Sequence, residues 1–167
     1  QRGLLIQPSE VPSYMSWSFS AHQLPTSGEV TSLVHVPEQS LLVTLSDHGL
    51  YELVPGHPAR RIEGLRDATC VYRDRRNQYW VTTDDQLFSF DLANGRFSQV
   101  LNVPAGNVRK VVSDKQGRLY LSTYGQGLCV YDPTSRQSWQ YDMDHALNGD
   151  DKDHLCNNWV CDLMSDS

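Results

Sequence analysis

The sequence predicts an all-β fold built from repeated four-stranded antiparallel meanders, and three observations carry that reading. Apolar residues alternate with a period of two inside short runs, Gly, Asp, Asn and Pro punctuate the runs, and the whole pattern recurs. Setting "LLVTLSDHGLYEL" (Leu41 to Leu53), "YWVTTDDQLFSF" (Tyr79 to Phe90) and "LYLSTYGQGLCVY" (Leu119 to Tyr131) above one another aligns Val43, Val81 and Leu121. An apolar pair three residues apart precedes each run: Val30 and Leu33, Ala68 and Val71, Val108 and Val111. A fourth copy opens as Val160 and Leu163. The first positions, 30, 68, 108 and 160, are spaced by 38, 40 and 52 residues. A period of about 40 residues suits either a helical repeat or a four-stranded blade. The alternation of Leu119, Leu121 and Thr123 on one face, in runs filled by Val, Tyr, Trp and Thr, decides for strands. A β-sandwich has no reason to repeat at this interval, whereas meanders repeated radially make a β-propeller.

Each element follows in chain order. In residues 1–29, Gly3-Leu4-Leu5-Ile6-Gln7-Pro8 matches the stretch from Gly127 to Pro133. It reads as the third strand of a preceding blade, followed by an outer strand near Ser16 to Gln23 and a connection. Residues 30–67 and 68–107 read as two whole blades. Residues 108–159 form a third, with strands near Val108 to Ser113, Arg118 to Thr123, Gly127 to Asp132 and Gln137 to Tyr141, and a long connecting loop over 142–159. An Asp-x-x-Gly turn from Asp114, the Tyr-Gly-Gln-Gly turn and Asp132-Pro133-Thr134-Ser135 separate these strands, Pro fixing φ for the last turn. Asp74, Asp114 and Asp166 recur in register, which marks them as turn residues. Residues 160–167 read as the first strand of a next blade. The expectation is three full blades plus two partial ones, an arc excised from a larger propeller, whose open sheet edges invite association.

Composition narrows the function. The 167 residues, 39% of them hydrophobic, suffice for one cored unit. A formal net charge of −6, from 20 acidic against 14 basic residues, argues against a nucleic-acid surface. The Arg60-Arg61 and Arg73, Arg75, Arg76 groups read as solvated turn positions. Leu4-Leu5-Ile6 and Leu41-Leu42-Val43 fall far short of the ~20 apolar residues of a membrane helix, so no membrane segment is expected in this piece. The chain begins at Gln1 without a basic and apolar leader and reads as a processed chain or a piece of a longer one. Cys70, Cys129, Cys156 and Cys161 contain no C-x-x-C pair. Cys70 and Cys129 sit in apolar strand patterns and read as free, buried thiols. An even count also permits disulfides in an oxidising compartment, with Cys156 and Cys161 nearest in sequence.

Three constellations bear on chemistry. Gly125-Gln126-Gly127 is no dinucleotide fingerprint, because the third glycine position is Val130 and a strand follows where a helix is required. It reads as a hairpin connection. The acidic insertion "DMDHALNGDDKDH" (Asp142 to His154) offers Asp144, His145, Asp150, Asp151, Asp153 and His154 as cation ligands, yet its spacing fits neither an EF-hand loop nor a His-x-x-x-His pair. No metal and no cofactor is expected. No G-x-S-x-G elbow is present, and no catalytic set is expected.

With these blades in hand, "SDKQGRLYLSTYGQGLCVYDPTSRQSWQYD" followed by "LCNNWVCDLMSD" resembles the two-component regulator propeller repeat. That repeat runs V-x-x-I, Asp-x-x-Gly, a strand ending in Gly-Thr, and a Gly-Gly-Leu turn leading to Tyr-Asp. The likeness covers Val30 to Ser167 and is strongest in the third copy. In the second, Asp84-Asp85-Gln86 replaces the glycine turn, in the first Pro37-Glu38 replaces the Asp, and Ser122-Thr123 and Thr82-Thr83 stand for Gly-Thr. The resemblance implies the periplasmic sensor region of a hybrid histidine kinase and response regulator, of the kind with which Bacteroides-type bacteria sense glycan fragments. It further implies a parent with a following β-sandwich, one membrane helix and cytoplasmic kinase, receiver and DNA-binding modules. The remaining blades, the following domains and self-association of the parent are the implied partners.

Propeller geometry then places a binding face. Loops joining second to third strands share one end with the connections between blades. That end collects His48, Asp84, Asp85, Tyr124 and Gln126 with Arg66, Asp67, Asn107, Asn157, Asn158 and Trp159. Aromatic faces pack on apolar sugar surfaces while Asn, Asp, Gln and Arg direct hydrogen bonds, so an oligosaccharide is the expected ligand. The fragment is expected to be a non-enzymatic sensor. A protein-interaction scaffold and a carbohydrate-active propeller enzyme are the alternatives.

Overall fold

The computed structural model describes residues 3–6, 15–18, 22–37, 40–103, 107–144 and 154–165. Among them all regular structure is β. A short antiparallel pair, β1 (Gly3–Ile6) and β2 (Met15–Ser18), comes first. The outer strand expected near Ser16 to Gln23 thus lies earlier in the chain, and residues 22–29 are turn and loop. Three four-stranded antiparallel meanders follow, each with its strands in chain order. The first holds β3 (Val30–Val36), β4 (Ser40–Leu45), β5 (Gly49–Leu53) and β6 (Arg60–Ile62). The second holds β7 (Cys70–Arg73), β8 (Tyr79–Thr82), β9 (Gln86–Asp91) and β10 (Arg96–Asn102). The third holds β11 (Val108–Ser113), β12 (Leu119–Thr123), β13 (Leu128–Asp132) and β14 (Gln137–Tyr141).

The sequence repeat is a register repeat. Val43 stands opposite Leu33 and Tyr51, Val81 opposite Val71 and Phe88, and Leu121 opposite Val111 and Cys129. Strand β7 packs beside β3 and β4, and β11 beside β7, so the first strands gather at one side while β6, β10 and β14 lie at the sheets' far edges. These are three successive β-propeller blades. The second blade buries both faces against its neighbours, and the first buries one face against the second blade and the other around Leu24, which is why β4 and β8 are buried along their whole lengths rather than alternately. Leu42, Leu50 and Ile62 of the first blade meet Val71, Val81 and Phe90 of the second. Cys70, Trp80 and Leu87 of the second meet Val111, Leu119 and Leu121 of the third.

The recurring aspartates are turn residues. Asp74 Oδ1 accepts the Arg76 and Gln78 backbone N–H groups at 2.8 and 2.9 Å, and Asp114 Oδ1 accepts those of Gln116 and Arg118 at 2.9 Å each. The second carboxylate oxygen in each case takes the polar tip of an aromatic six residues on: Trp80 Nε1 donates to Asp74 Oδ2 at 2.9 Å, and the Tyr120 hydroxyl to Asp114 Oδ2 at 3.2 Å. In the first blade register puts Val36, rather than the Pro37-Glu38 expected from the sequence, at the position of the acid and Leu42 at that of the aromatic, and both are buried in the core, so acid and aromatic are lost together. Asp166 lies outside the described residues.

One position on each first strand reaches across to the repeat that follows in sequence. Ser32 Oγ donates to Val71 O at 2.9 Å and accepts from Val71 N at 3.3 Å. Cys70, two positions into its own repeat like Ser32, has its thiol pushed up by burial, against which the Ser32 side chain and the Val111 backbone work. At the same position of the third blade, Lys110 Nζ pairs with Asp162 Oδ1 at 2.5 Å. The expected first strand over 160–167 is not formed across residues 160–165. A strand is defined by a ladder of backbone partners, and here the backbone contributes the Tyr124 to Trp159 bridge and Val160 N donating to Thr123 O at 3.1 Å.

Candidate functional site

The site is built on the β12–β13 hairpin. Thr123 Oγ1 donates to Gly127 O at 2.8 Å and accepts from Gln126 N at 3.2 Å, closing the turn. Gly127 has φ +73°, and a Cβ there would collide with Tyr141 O and stand 2.8 Å from Asp142 Cβ, so conformation and space both demand glycine. The backbone N–H groups of Gly125 and Gly127 donate to Asn158 O at 3.1 and 2.8 Å, the kind of convergent amide pair that holds an oxyanion, here filled by a carbonyl. The Gly125 and Gly127 amides therefore anchor the returning chain.

That anchoring lays Trp159 beside Tyr124, with ring centroids 4.4 Å apart and planes tilted by 32°. Tyr124 is 41% exposed and Trp159 57%, which makes them an outward aromatic platform. Asn107 O accepts from Tyr124 N at 3.3 Å and ties the platform to the connection between second and third blades. The Arg109 guanidinium stands 5.4 Å from the Tyr124 ring centroid, within cation–π range.

Arg109 was not among the residues expected at this site, and its position explains why. The β11–β12 register slips between Val108 and Lys110, leaving Arg109 as the extra residue of a bulge. The matching residues of the earlier blades are Thr31 and Thr69, whose hydroxyls meet those of Thr44 and Thr82 at 2.8 and 3.0 Å. In the third blade the pair is Arg109 and Ser122. The Ser122 hydroxyl, fully buried, has no partner among the described residues, and the arginine is aimed at the aromatic face instead. The break in a threonine series was the signal available in the sequence.

The other expected residues divide by blade. Asn157 Oδ1 accepts from Trp159 N at 2.9 Å and Asn158 Oδ1 from Met143 N at 2.8 Å, so both asparagines hold the platform in place. Gln126 gives its carbonyl oxygen to Gln140 Nε2 at 2.7 Å, leaving its side chain exposed. In the second blade, Asp85 O accepts from Val103 N at 2.6 Å and Asp85 Oδ1 from Thr83 Oγ1 at 3.2 Å, with Asp84 exposed beside it. The connection between the second and third blades is thus bracketed by Asp85 and Tyr124, which puts both hairpins at one end of the sheets. In the first blade, His48 Nε2 lies 3.0 Å from Ser27 Oγ, and a Cβ on Gly49 would fall 2.5 Å from Leu65 O, packing that hairpin against the turn carrying Arg66 and Asp67. The contacts of the Tyr124 and Trp159 rings among the described residues are with each other and with Arg109. Of the acidic insertion, Asp144 and His154 are described, whereas His145, Asp150, Asp151 and Asp153 lie outside the described residues. Among the described residues no group of three His, Cys, Asp or Glu side chains is close enough to hold a metal ion, and no helix is long and apolar enough to cross a membrane.

No protein-family model and no curated protein matches the chain. Solved structures do. An extracellular domain assigned to a hybrid two-component system of Bacteroides thetaiotaomicron superposes with a TM-score of 0.74 at 17% identity, over 99% of this chain and 21% of that one. A second such domain from the same organism gives 0.71 at 18% identity, over 95% and 22%. Virginiamycin B lyase of Staphylococcus aureus gives 0.57 at 8% identity, over 71% and 42%. The chain thus spans about a fifth of the length of the two extracellular domains. At these identities the likeness is one of fold.

Proposed function

We propose that this chain is part of an extracytoplasmic, ligand-sensing propeller of a hybrid two-component receptor in the periplasm, and that its loop end binds a sugar. The observation that carries the reading is the exposed Tyr124 and Trp159 pair with the Arg109 guanidinium over one ring. Aromatic faces take the apolar face of a pyranose, and a guanidinium supplies hydrogen bonds to its hydroxyls. The fold shared with extracellular domains of two-component systems supports a sensor, as does the repeat resemblance in the third blade. The chain contributes binding and the kinase activity belongs to the parent. Ligand seated where one blade meets the next favours one arrangement of propeller and following domains, and so shifts a dimeric receptor between signalling states.

The test is calorimetry of a neutral glycan panel against the intact sensor region. Saturable binding without turnover is expected, falling at least tenfold in Tyr124→Ala and in Arg109→Gln with circular dichroism unchanged. Product formation overturns the sensor in favour of an enzyme, and binding indifferent to both substitutions removes the platform from the site.

A further inference from the structure

The opposite end of the sheets carries a second feature. A cleft of about 620 Å³ runs between the second and third blades, within the ~300–1,000 Å³ typical of ligand sites. Its walls come from the Trp80, Ser89 and Gln99 face of the second blade, and its mouth from Arg76 and from Arg136 in the β13–β14 turn.

Register shows what one wall of it lacks. In the first blade the residue opposite Leu42 is Glu52, whose strand partner Arg60 closes onto it with Nε and Nη2 at 2.9 and 2.6 Å from Oε2. In the second blade the residue opposite Trp80 is Ser89, whose strand partner is Ser98. Two serines stand where the neighbouring blade has an ion pair, and Ser89 of the two lines the cleft, leaving that wall without a carboxylate.

The lining is also unbalanced in charge. Its one carboxylate, Asp74, is committed to the Arg76 and Gln78 backbone amides and to the Trp80 indole. Arg76 spends one Nη on Gln116 O at 3.2 Å, and no hydrogen bond or ion pair joins the Arg136 guanidinium to a described residue. A guanidinium fork matches a carboxylate or sulfate with two parallel hydrogen bonds. We propose that this cleft is a binding site for a small polar ligand bearing a carboxylate or sulfate group, separate from the loop platform, with Arg136 and Arg76 holding the anion.

Titration of the chain with glucuronate, glucose 6-sulfate and glucose, followed by amide chemical shifts, tests this. At least one anion is expected to bind tenfold or more tightly than glucose, to weaken with added salt, and to shift amides around Arg76 and Arg136; the ratio of the two anions tells carboxylate from sulfate. Arg136→Gln is expected to cost at least tenfold, and Ser89→Glu, which restores the neighbouring blade's carboxylate, to abolish binding in a folded chain. The proposal is overturned if neither anion outbinds glucose, if both variants bind as the parent does, or if Tyr124→Ala removes the binding.

Discussion

Gly127 shows how a single residue fixes the loop end. Its left-handed φ of +73° would cost any other side chain about 1–3 kcal/mol in backbone strain alone, and the Tyr141 carbonyl leaves no room for a Cβ. Gly127→Ala is therefore expected to lower stability by about 2 kcal/mol or more, read as a shift in the denaturant midpoint. The same substitution displaces the Asn158 carbonyl that Gly127 N holds, so Trp159 fluorescence should change in the folded variant. Cysteine chemistry is likewise decided residue by residue. Burial pushes the Cys129 thiol up to about 11 and raises that of Cys70, while Cys156 and Cys161 are exposed, and all four are free. The buried pair behaves as small hydrophobes in strands, which is how the apolar runs around them read.

At the scale of elements, the segment 160–165 leans on the third blade through one ion pair and few backbone bonds. The Lys110 side chain holds the Asp162 carboxyl below its usual range, followed by the Leu163 backbone amide. A lowered carboxylate stabilises the docked form above the unfolded pKa of about 3.9 and loses that contribution as pH falls through the folded value. The protection of residues 160–165, taken relative to the intrinsic exchange rate at each pH, is thus expected to fall below about pH 4 while β11 and β12 stay protected, and added salt should weaken the contact because both partners are exposed. A segment whose protection ignores acid and salt alike would show that the pair does not hold it. Strands were legible because the period-two alternation and the aligned Val43, Val81 and Leu121 are register itself. Arg109 was not, since a bulge shifts it off the alternation and the clue was a threonine series that ends. Nor was the cleft between blades, whose lining joins Trp80 and Ser89 to Tyr131 and Arg136 across a seam that emerges only with the fold.

The whole molecule is a row of interfaces rather than one core. Separate buried clusters join first to second and second to third blade, so stability is close to a sum of nearest-neighbour terms. Leu121→Ala, at a fully buried position of the second interface, is expected to cost about 2–5 kcal/mol. Amide exchange should then quicken in the second and third blades well before the β3 and β4 amides, whereas uniform loss across all three would mark a single cooperative unit. The same row has a direction. Each blade's crossing residue touches its successor with a different group: the Ser32 hydroxyl, the Cys70 thiol and the Lys110 ammonium, the last matched to a carboxylate at Asp162. Blades that share a backbone are in this way not interchangeable parts. A chain with its second and third repeats exchanged would set Lys110 in the apolar seam that Cys70 now fills and leave Asp162 facing a thiol, so serial order is written into the chemistry of the seams.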